Sequence, residues 1–202
     1  MAATNSNNNK IILAALVILA LLIVFFTISY NGFVKKEEAV FKSFNNLQSD
    51  YQRRLELIPN LVSVVKGSTD FEKETLLKLV EARAKAAKIN ITGNITADEY
   101  NKAEQVQAAV AVNANSLIAV IEKYPDLKSE KSFIRLQDQL EGTERRIKFS
   151  RKDFNESVAD YNQQVRSFPK NIAAKIFGFK MKEGFKAEGG AENAPEIDFN
   201  AK

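Results

Sequence analysis

The chain has 202 residues, with 29 lysines and arginines against 25 aspartates and glutamates, which gives a formal net charge of +4. It contains no cysteine and no histidine. This excludes disulfides, the usual zinc, copper and iron ligands, and any nucleophile that depends on cysteine or histidine. No calcium-binding or phosphate-binding loop pattern is present, so we expect no metal and no other cofactor. A charge this mild does not indicate a nucleic-acid partner.

An unbroken apolar run near the N-terminus predicts a membrane anchor. It extends from Ile11 to Phe26 and is prolonged to Ile28, a length that spans about 27 Å in a helix. It is longer than the core of most signal peptides and no Ala-x-Ala site follows it. We therefore predict an uncleaved, single transmembrane helix over residues 11–30, preceded by a polar and unstructured N-terminus over residues 1–10.

Basic residues flank the apolar run unequally, which bears on its orientation. Lys10 alone precedes the run, whereas five basic residues follow it closely: Lys35, Lys36, Lys42, Arg53 and Arg54. The positive-inside rule then favours an N-terminus outside the cell and a cytoplasmic domain. The expected location is the cell membrane.

Apolar residues after the anchor recur at helical spacing. The first stripe consists of Val40, Phe44, Leu47, Tyr51, Leu55 and Ile58. It continues past Pro59, which predicts a kink or a break there. Capping-box patterns at residues 69–72 and 96–99 predict the starts of a second helix, ending near Ile89, and of a third, ended by Pro125.

A fourth helix carries an apolar seam that runs from Phe133 to Phe168. The seam has heptad-like spacing, and Pro169 ends it. A short apolar piece over residues 171–179 is expected to pack back on the bundle, and residues 181–202 are expected to form a flexible tail. The predicted fold is all-α. A single transmembrane helix precedes an elongated antiparallel bundle of about four helices over residues 31–180, with long coiled-coil-like first and fourth helices.

Several sequence runs are shared with one known family and occur in that family's order. They are RRLELIPNLV from Arg53, EARAKA from Glu81, YPDLK from Tyr124, LQDQLEGTE from Leu136, RKDFN from Arg151, YN at Tyr161 and FP at Phe168. Together they resemble the LemA family of membrane-anchored helical proteins, over about residues 30–180. The resemblance implies a bacterial membrane protein with a helical domain, and it leaves the biochemical activity open.

Polar residues on apolar helix faces are the candidates for a functional site. Arg54 falls within the first apolar stripe, whereas Arg53 lies about 150° away and is expected to be solvated. A buried arginine needs a partner, and Asp50, Asn155 and Asn162 are the candidates. The arrangement is either a polar seam that fixes the register of two helices or a ligand or partner site. The complete candidate set is Arg53, Arg54, Pro59, Asn60, Arg151, Asn155, Tyr161 and Asn162.

Five basic residues lie close together in the fourth helix: Arg145, Arg146, Lys148, Arg151 and Lys152. They fit an anionic-lipid or nucleic-acid patch in principle, but acidic residues flank them and a solvated helix face is the expected interpretation.

These features favour a membrane-anchored helical scaffold that binds another protein or a second copy of itself. We expect no enzyme activity and no catalytic residues, because the apolar seams contain almost no carboxylates that could act as acid and base. No nucleic acid and no small-molecule substrate is indicated. The alternative is a helical-bundle sensory or ligand-binding domain that signals through a membrane partner.

Overall fold

The computed structural model describes residues 4–65, 73–89 and 97–185, with side chains from residue 8 and, after the second gap, from residue 98. Every regular element in these ranges is a helix, which confirms the predicted all-α fold. The helices are α1 (Thr4–Val65), α2 (Lys73–Ala87), α3 (Ala97–Ile121), α4 (Pro125–Lys128), α5 (Lys131–Arg166) and α6 (Lys170–Phe177). The predicted capping box over residues 69–72, the first residue of the second box and the tail beyond residue 185 lie outside the described residues.

The predicted anchor and the first helix of the bundle are one continuous helix, α1. Its 62 residues extend over about 93 Å. The helix already begins at Thr4, so the expectation of an unstructured N-terminus is wrong from that residue onward. Extending an existing helix adds one hydrogen bond for each residue ordered and needs no new nucleus, which explains why polar residues join it.

The apolar run of α1 makes no packed contact with the bundle before its last residues. Its leucines, isoleucines and valines from Ile11 to Val24 are exposed. Among the described residues, α1 is the one helix that is long and apolar enough to cross a membrane.

The two long helices α1 and α5 pack side by side in opposite directions. Among the side-chain contacts that join them are Lys36–Asp160, Asp50–Ser150 and Arg54–Glu144. Residue numbers rise along α1 as they fall along α5, so the two helices are antiparallel, as predicted. The first stripe, from Val40 to Ile58, is buried at this contact. α2 and α3 pack on each other beside the distal half of α1.

The apolar seam of α5 is buried from Phe133 to Val165, with Thr143 filling one position. Phe168 does not belong to the seam, and its inclusion in the prediction is wrong. It is 81% exposed. The reason is that α5 ends at Arg166, so the helical register no longer turns the phenylalanine toward the core.

Pro59 does not break α1, which continues to Val65. Proline has no amide N–H, so the Leu55 carbonyl four residues earlier loses its usual helical donor. The Nε–H of Arg83 on α2 donates to this carbonyl oxygen at 3.0 Å. The proline therefore leaves the Leu55 carbonyl oxygen without its helical donor, and Arg83 of α2 binds α1 at this oxygen.

We expect the cost of Arg83→Ala to depend on Pro59. In the natural chain the change should lower the free energy of unfolding by about 1 kcal/mol, because the Leu55 carbonyl loses its donor. In a Pro59→Ala background that carbonyl regains a helical N–H, so the same change should cost less than half as much. Urea unfolding of the four variants followed by circular dichroism measures both values. Equal costs in the two backgrounds would contradict the pairing.

Candidate functional site

A buried arginine lies at the centre of the bundle, where α1, α3 and α5 meet. Arg54 is 3% exposed. Its Nη1 donates to Glu144 Oε1 of α5 at 2.7 Å, and its Nη2 donates to Gln107 Oε1 of α3 at 2.8 Å. The guanidinium carbon also lies 5.5 Å from the centre of the Tyr51 ring. Arg54 thus links three helices through charge-assisted hydrogen bonds.

The burial of Arg54 agrees with its predicted position on the apolar face, but its partners differ from those expected. Asp50 instead accepts a hydrogen bond from Ser150 at 2.6 Å. Asn155 and Asn162 bind a different part of the chain. A long guanidinium side chain that points into a bundle reaches the neighbouring helices rather than the preceding turn of its own helix.

A second arginine, Arg151 of α5, extends this polar layer. It forms an ion pair with Glu104 of α3, and its Nε–H lies 3.4 Å from the Tyr51 hydroxyl oxygen. Burial raises the pKa of Tyr51, and the nearby Arg151 opposes that shift. We call this set the central polar layer: Tyr51, Arg54, Glu104, Gln107, Glu144 and Arg151. It connects the same three helices at two successive levels.

The other candidates on α1 lie at the surface. Arg53 is exposed and lines a cleft of about 740 Å³ between α1, α2 and α3. The cleft is bordered by Asp50 and Glu56 of α1 and by Gln107 of the central polar layer. Pro59 and Asn60 are exposed and do not line it.

Asn155 and Asn162 of α5 hold an extended C-terminal segment, residues 180–185. Asn162 donates to the Lys182 carbonyl oxygen at 2.7 Å and accepts from the Lys182 amide at 2.8 Å. Asn155 makes the same pair with Phe185, accepting at 2.8 Å and donating at 3.3 Å. Each asparagine therefore satisfies both backbone groups of one residue, as a neighbouring β-strand would.

Two buried tyrosines bind the same segment through their hydroxyl groups. Tyr161 of α5 donates to the Lys180 carbonyl oxygen at 2.9 Å, and Tyr100 of α3 donates to the carbonyl oxygen of Glu183. Burial raises the pKa of each tyrosine to about 12, with Glu37 adding to the effect at Tyr161 and Glu183 at Tyr100. Both hydroxyls therefore remain protonated donors at neutral pH.

Side chains of the segment occupy two sites on the bundle. The Phe185 ring lies against Tyr100 and Phe154, with ring centres 5.3 and 5.2 Å apart. The Lys182 ammonium lies 2.9 Å from Glu37 and above the ring of Tyr161. Contacts with the bundle thus continue to residue 185, five residues past the predicted domain boundary at residue 180. The sequence pattern missed them because an extended segment held by backbone groups has no helical periodicity.

We expect two glycine-to-alanine changes to have opposite effects. A Cβ at Gly184 would lie 2.6 Å from Asn155 Oδ1, so Gly184→Ala must displace the amide that pairs with Phe185. It should lower stability by about 1 kcal/mol or more and remove the hydrogen-exchange protection of the Phe185 amide. Gly142 lies inside α5, and a Cβ added there would meet no side chain closer than Arg145 Nη2 at 4.0 Å, so Gly142→Ala should raise stability by about 0.5–1 kcal/mol. Retained protection in Gly184→Ala would contradict the close approach.

The sequence comparison identifies the family to which this arrangement belongs. The pattern that defines the LemA family matches residues 43–199, which include the central polar layer and the C-terminal segment. The chain belongs to the LemA family. The resemblance inferred from the individual sequence runs is therefore confirmed.

The chain is similar to a LemA protein and to magnetosome proteins of two other organisms. Protein LemA of Metamycoplasma hominis is 20% identical over 145 residues, which cover 72% of this chain and 63% of that protein. Magnetosome protein MamQ 2 of Paramagnetospirillum magneticum is 26% identical over 175 residues, covering 78% and 64%. Magnetosome protein MamQ of Magnetospirillum gryphiswaldense is 25% identical over 174 residues, covering 77% and 64%. The matched region thus amounts to slightly less than two thirds of each relative. Family membership and the apolar helix together describe a membrane-associated helical protein.

Proposed function

We propose that this LemA family member is a membrane-anchored scaffold that binds another protein and has no catalytic activity of its own. The observation that supports it most directly is the outward face of α5. Phe149 is 64% exposed there, and Arg145, Lys148 and Lys152 are exposed around it at helical spacing. Basic residues thus predominate around an uncovered aromatic side chain, with Asp153 as an exposed acidic neighbour one turn away, and this composition suits a protein-binding surface.

The partner that fits this face is acidic and carries an apolar pocket for Phe149. Lys148 and Lys152 lie one turn apart on the side where Arg145 also points, so three positive charges share one surface, and Lys152 also lies 3.5 Å from Glu156. α5 is about 54 Å long, which gives the face the length of an extended docking surface. The basic cluster is thus assigned to protein binding rather than to nucleic acid.

The proposed absence of catalysis rests on the pairing of the polar groups. Arg54, Arg151, Glu104 and Glu144 neutralise one another between helices, which favours the structural interpretation of the polar seam.

For orientation we propose an external N-terminus and a cytoplasmic bundle, because basic residues predominate after the apolar run.

A second candidate function has one observation in its favour. The cleft of about 740 Å³ beside Arg53 has the size of a small-molecule site and is bordered by polar side chains. A helical sensory bundle that binds a polar ligand there is the alternative to the scaffold.

The scaffold proposal is tested by site-specific crosslinking in intact membranes. A photoactivatable phenylalanine analogue replaces Phe149, and the matched control places it at Leu77, which is 60% exposed on α2. We expect a discrete protein adduct from position 149. Lys148→Glu with Lys152→Glu should abolish it, because reversing the charges repels an acidic partner.

The matched charge control is Lys85→Glu with Lys88→Glu, two exposed lysines in and just after α2. This pair should leave the adduct unchanged, and circular dichroism should show equal helix content in all variants. Identical adducts from positions 149 and 77, or an adduct that survives reversal on α5, would refute the proposed surface.

A further inference from the structure

The short helix α6 packs against α1 at the end of the apolar run. The Phe177 ring lies 6.0 Å from Phe26 and 5.2 Å from Tyr30, measured between ring centres. Ala173 and Ala174 are buried on the side of α6 that faces the bundle. α6 is therefore at the level where the predicted transmembrane span ends, at residues 26–30.

The opposite side of α6 is apolar and uncovered. Ile172 and Ile176 are one helical turn apart and are 49% and 62% exposed. Phe168, just before the helix, is the most exposed of the large apolar side chains that the structure describes, and Met181 after the helix is 62% exposed. The described part of the chain leaves these four side chains open to the surroundings.

The charged residues of this region lie beside the apolar side chains rather than among them. Lys175 and Lys180 are both exposed, and α6 itself contains no acidic residue. A helix with an apolar face and flanking lysines is typical of segments that lie in a membrane interface, where the lysines reach the phospholipid phosphates.

We propose that α6 lies in the interface of the bilayer that α1 crosses, with Phe168, Ile172 and Ile176 inserted among the lipid chains. The partner is the lipid surface, because the contact of Phe177 with Phe26 places the apolar face next to the span itself. This inference rests on the membrane anchoring in the proposed function. A second attachment beside α1 fixes the direction in which the bundle leaves the membrane and so orients the α5 face.

The chain contains no tryptophan, so a single introduced tryptophan reports its own surroundings. Full-length Ile176→Trp is reconstituted in vesicles of phosphatidylcholine and phosphatidylglycerol with brominated acyl chains, which quench tryptophan at short range. We expect a loss of roughly half the fluorescence relative to unbrominated vesicles, as for a side chain at the boundary of the acyl chains. Leu16→Trp in the span should be quenched as well. Phe149→Trp on the outward face of α5 should be unaffected.

Phe168→Trp provides a second reporter outside the helix in case the change at residue 176 lowers the helix content. Quenching of Leu16→Trp but of neither reporter near α6 would overturn the inference and leave the anchor intact. A blue-shifted but unquenched Ile176→Trp would also overturn it, because protein would then cover the face. Absence of quenching at all positions would refute the anchor together with the inference.

Discussion

Replacing Arg54 by alanine is expected to lower the free energy of unfolding by about 1–3 kcal/mol, because buried polar partners then lose their hydrogen bonds. Gln107 is 6% exposed, so its amide oxygen is less able than a surface group to exchange the lost donor for water. Glu144 is 41% exposed and can be rehydrated. Most of the cost should therefore arise at Gln107. Urea unfolding of the detergent-solubilised chain, followed by circular dichroism, measures the change.

Arg53→Ala is the matched control, since the neighbouring arginine is exposed. It should change the stability by no more than about 0.5 kcal/mol. A second control combines Arg54→Ala with Gln107→Leu, which removes the unpaired amide and should recover part of the loss. Equal unfolding midpoints for Arg53→Ala and Arg54→Ala would show that the central polar layer does not stabilise the fold.

The full-length chain is expected to stay in the membrane pellet after an alkaline carbonate wash. Transferring the exposed leucines, isoleucines and valines of α1 from lipid to water is strongly unfavourable, and carbonate removes only proteins held by surface contacts. Deleting residues 1–30 should move the protein to the supernatant as a mostly helical domain. Fractionation with immunodetection and circular dichroism measures both outcomes.

The position of the deletion matters, because Phe26 and Tyr30 contact Phe177 of α6. The shortened domain should therefore uncover Phe177 and retain a weak, reversible affinity for vesicles through α6. A deletion of residues 1–24 keeps these aromatic contacts and serves as the comparison. Release of the full-length chain by carbonate would disprove the anchor.

The helices and their buried faces followed from the sequence because burial in a bundle repeats with the helical period. The stripe from Val40 to Ile58 and the seam from Phe133 to Val165 were both predicted correctly. The same spacing placed Arg54 on the buried side and Arg53 on the exposed side. The length of the apolar run identified a helix able to cross a membrane, since that property depends only on adjacent residues.

The partners of the polar groups were decided only by the tertiary structure. Arg54 and Glu144 are 90 residues apart, and Asn155 and Phe185 are 30 apart. Such pairs depend on how α1, α3 and α5 are rotated against one another. The spacing of residues along one helix carries no information about that rotation.

The end of the bundle near Phe168 shows most clearly what the sequence predicted and what only the packing decided. Phe168 was predicted to continue the apolar seam of α5. The chain instead turns after Arg166, which places Phe168 and Ile176 outside while residues 180–185 return along α5. Local sequence determined which residues are apolar and which stretches are helical. Only the packing of distant segments decided which apolar surfaces the protein buries and which remain open, because burial requires a partner that the local sequence does not contain.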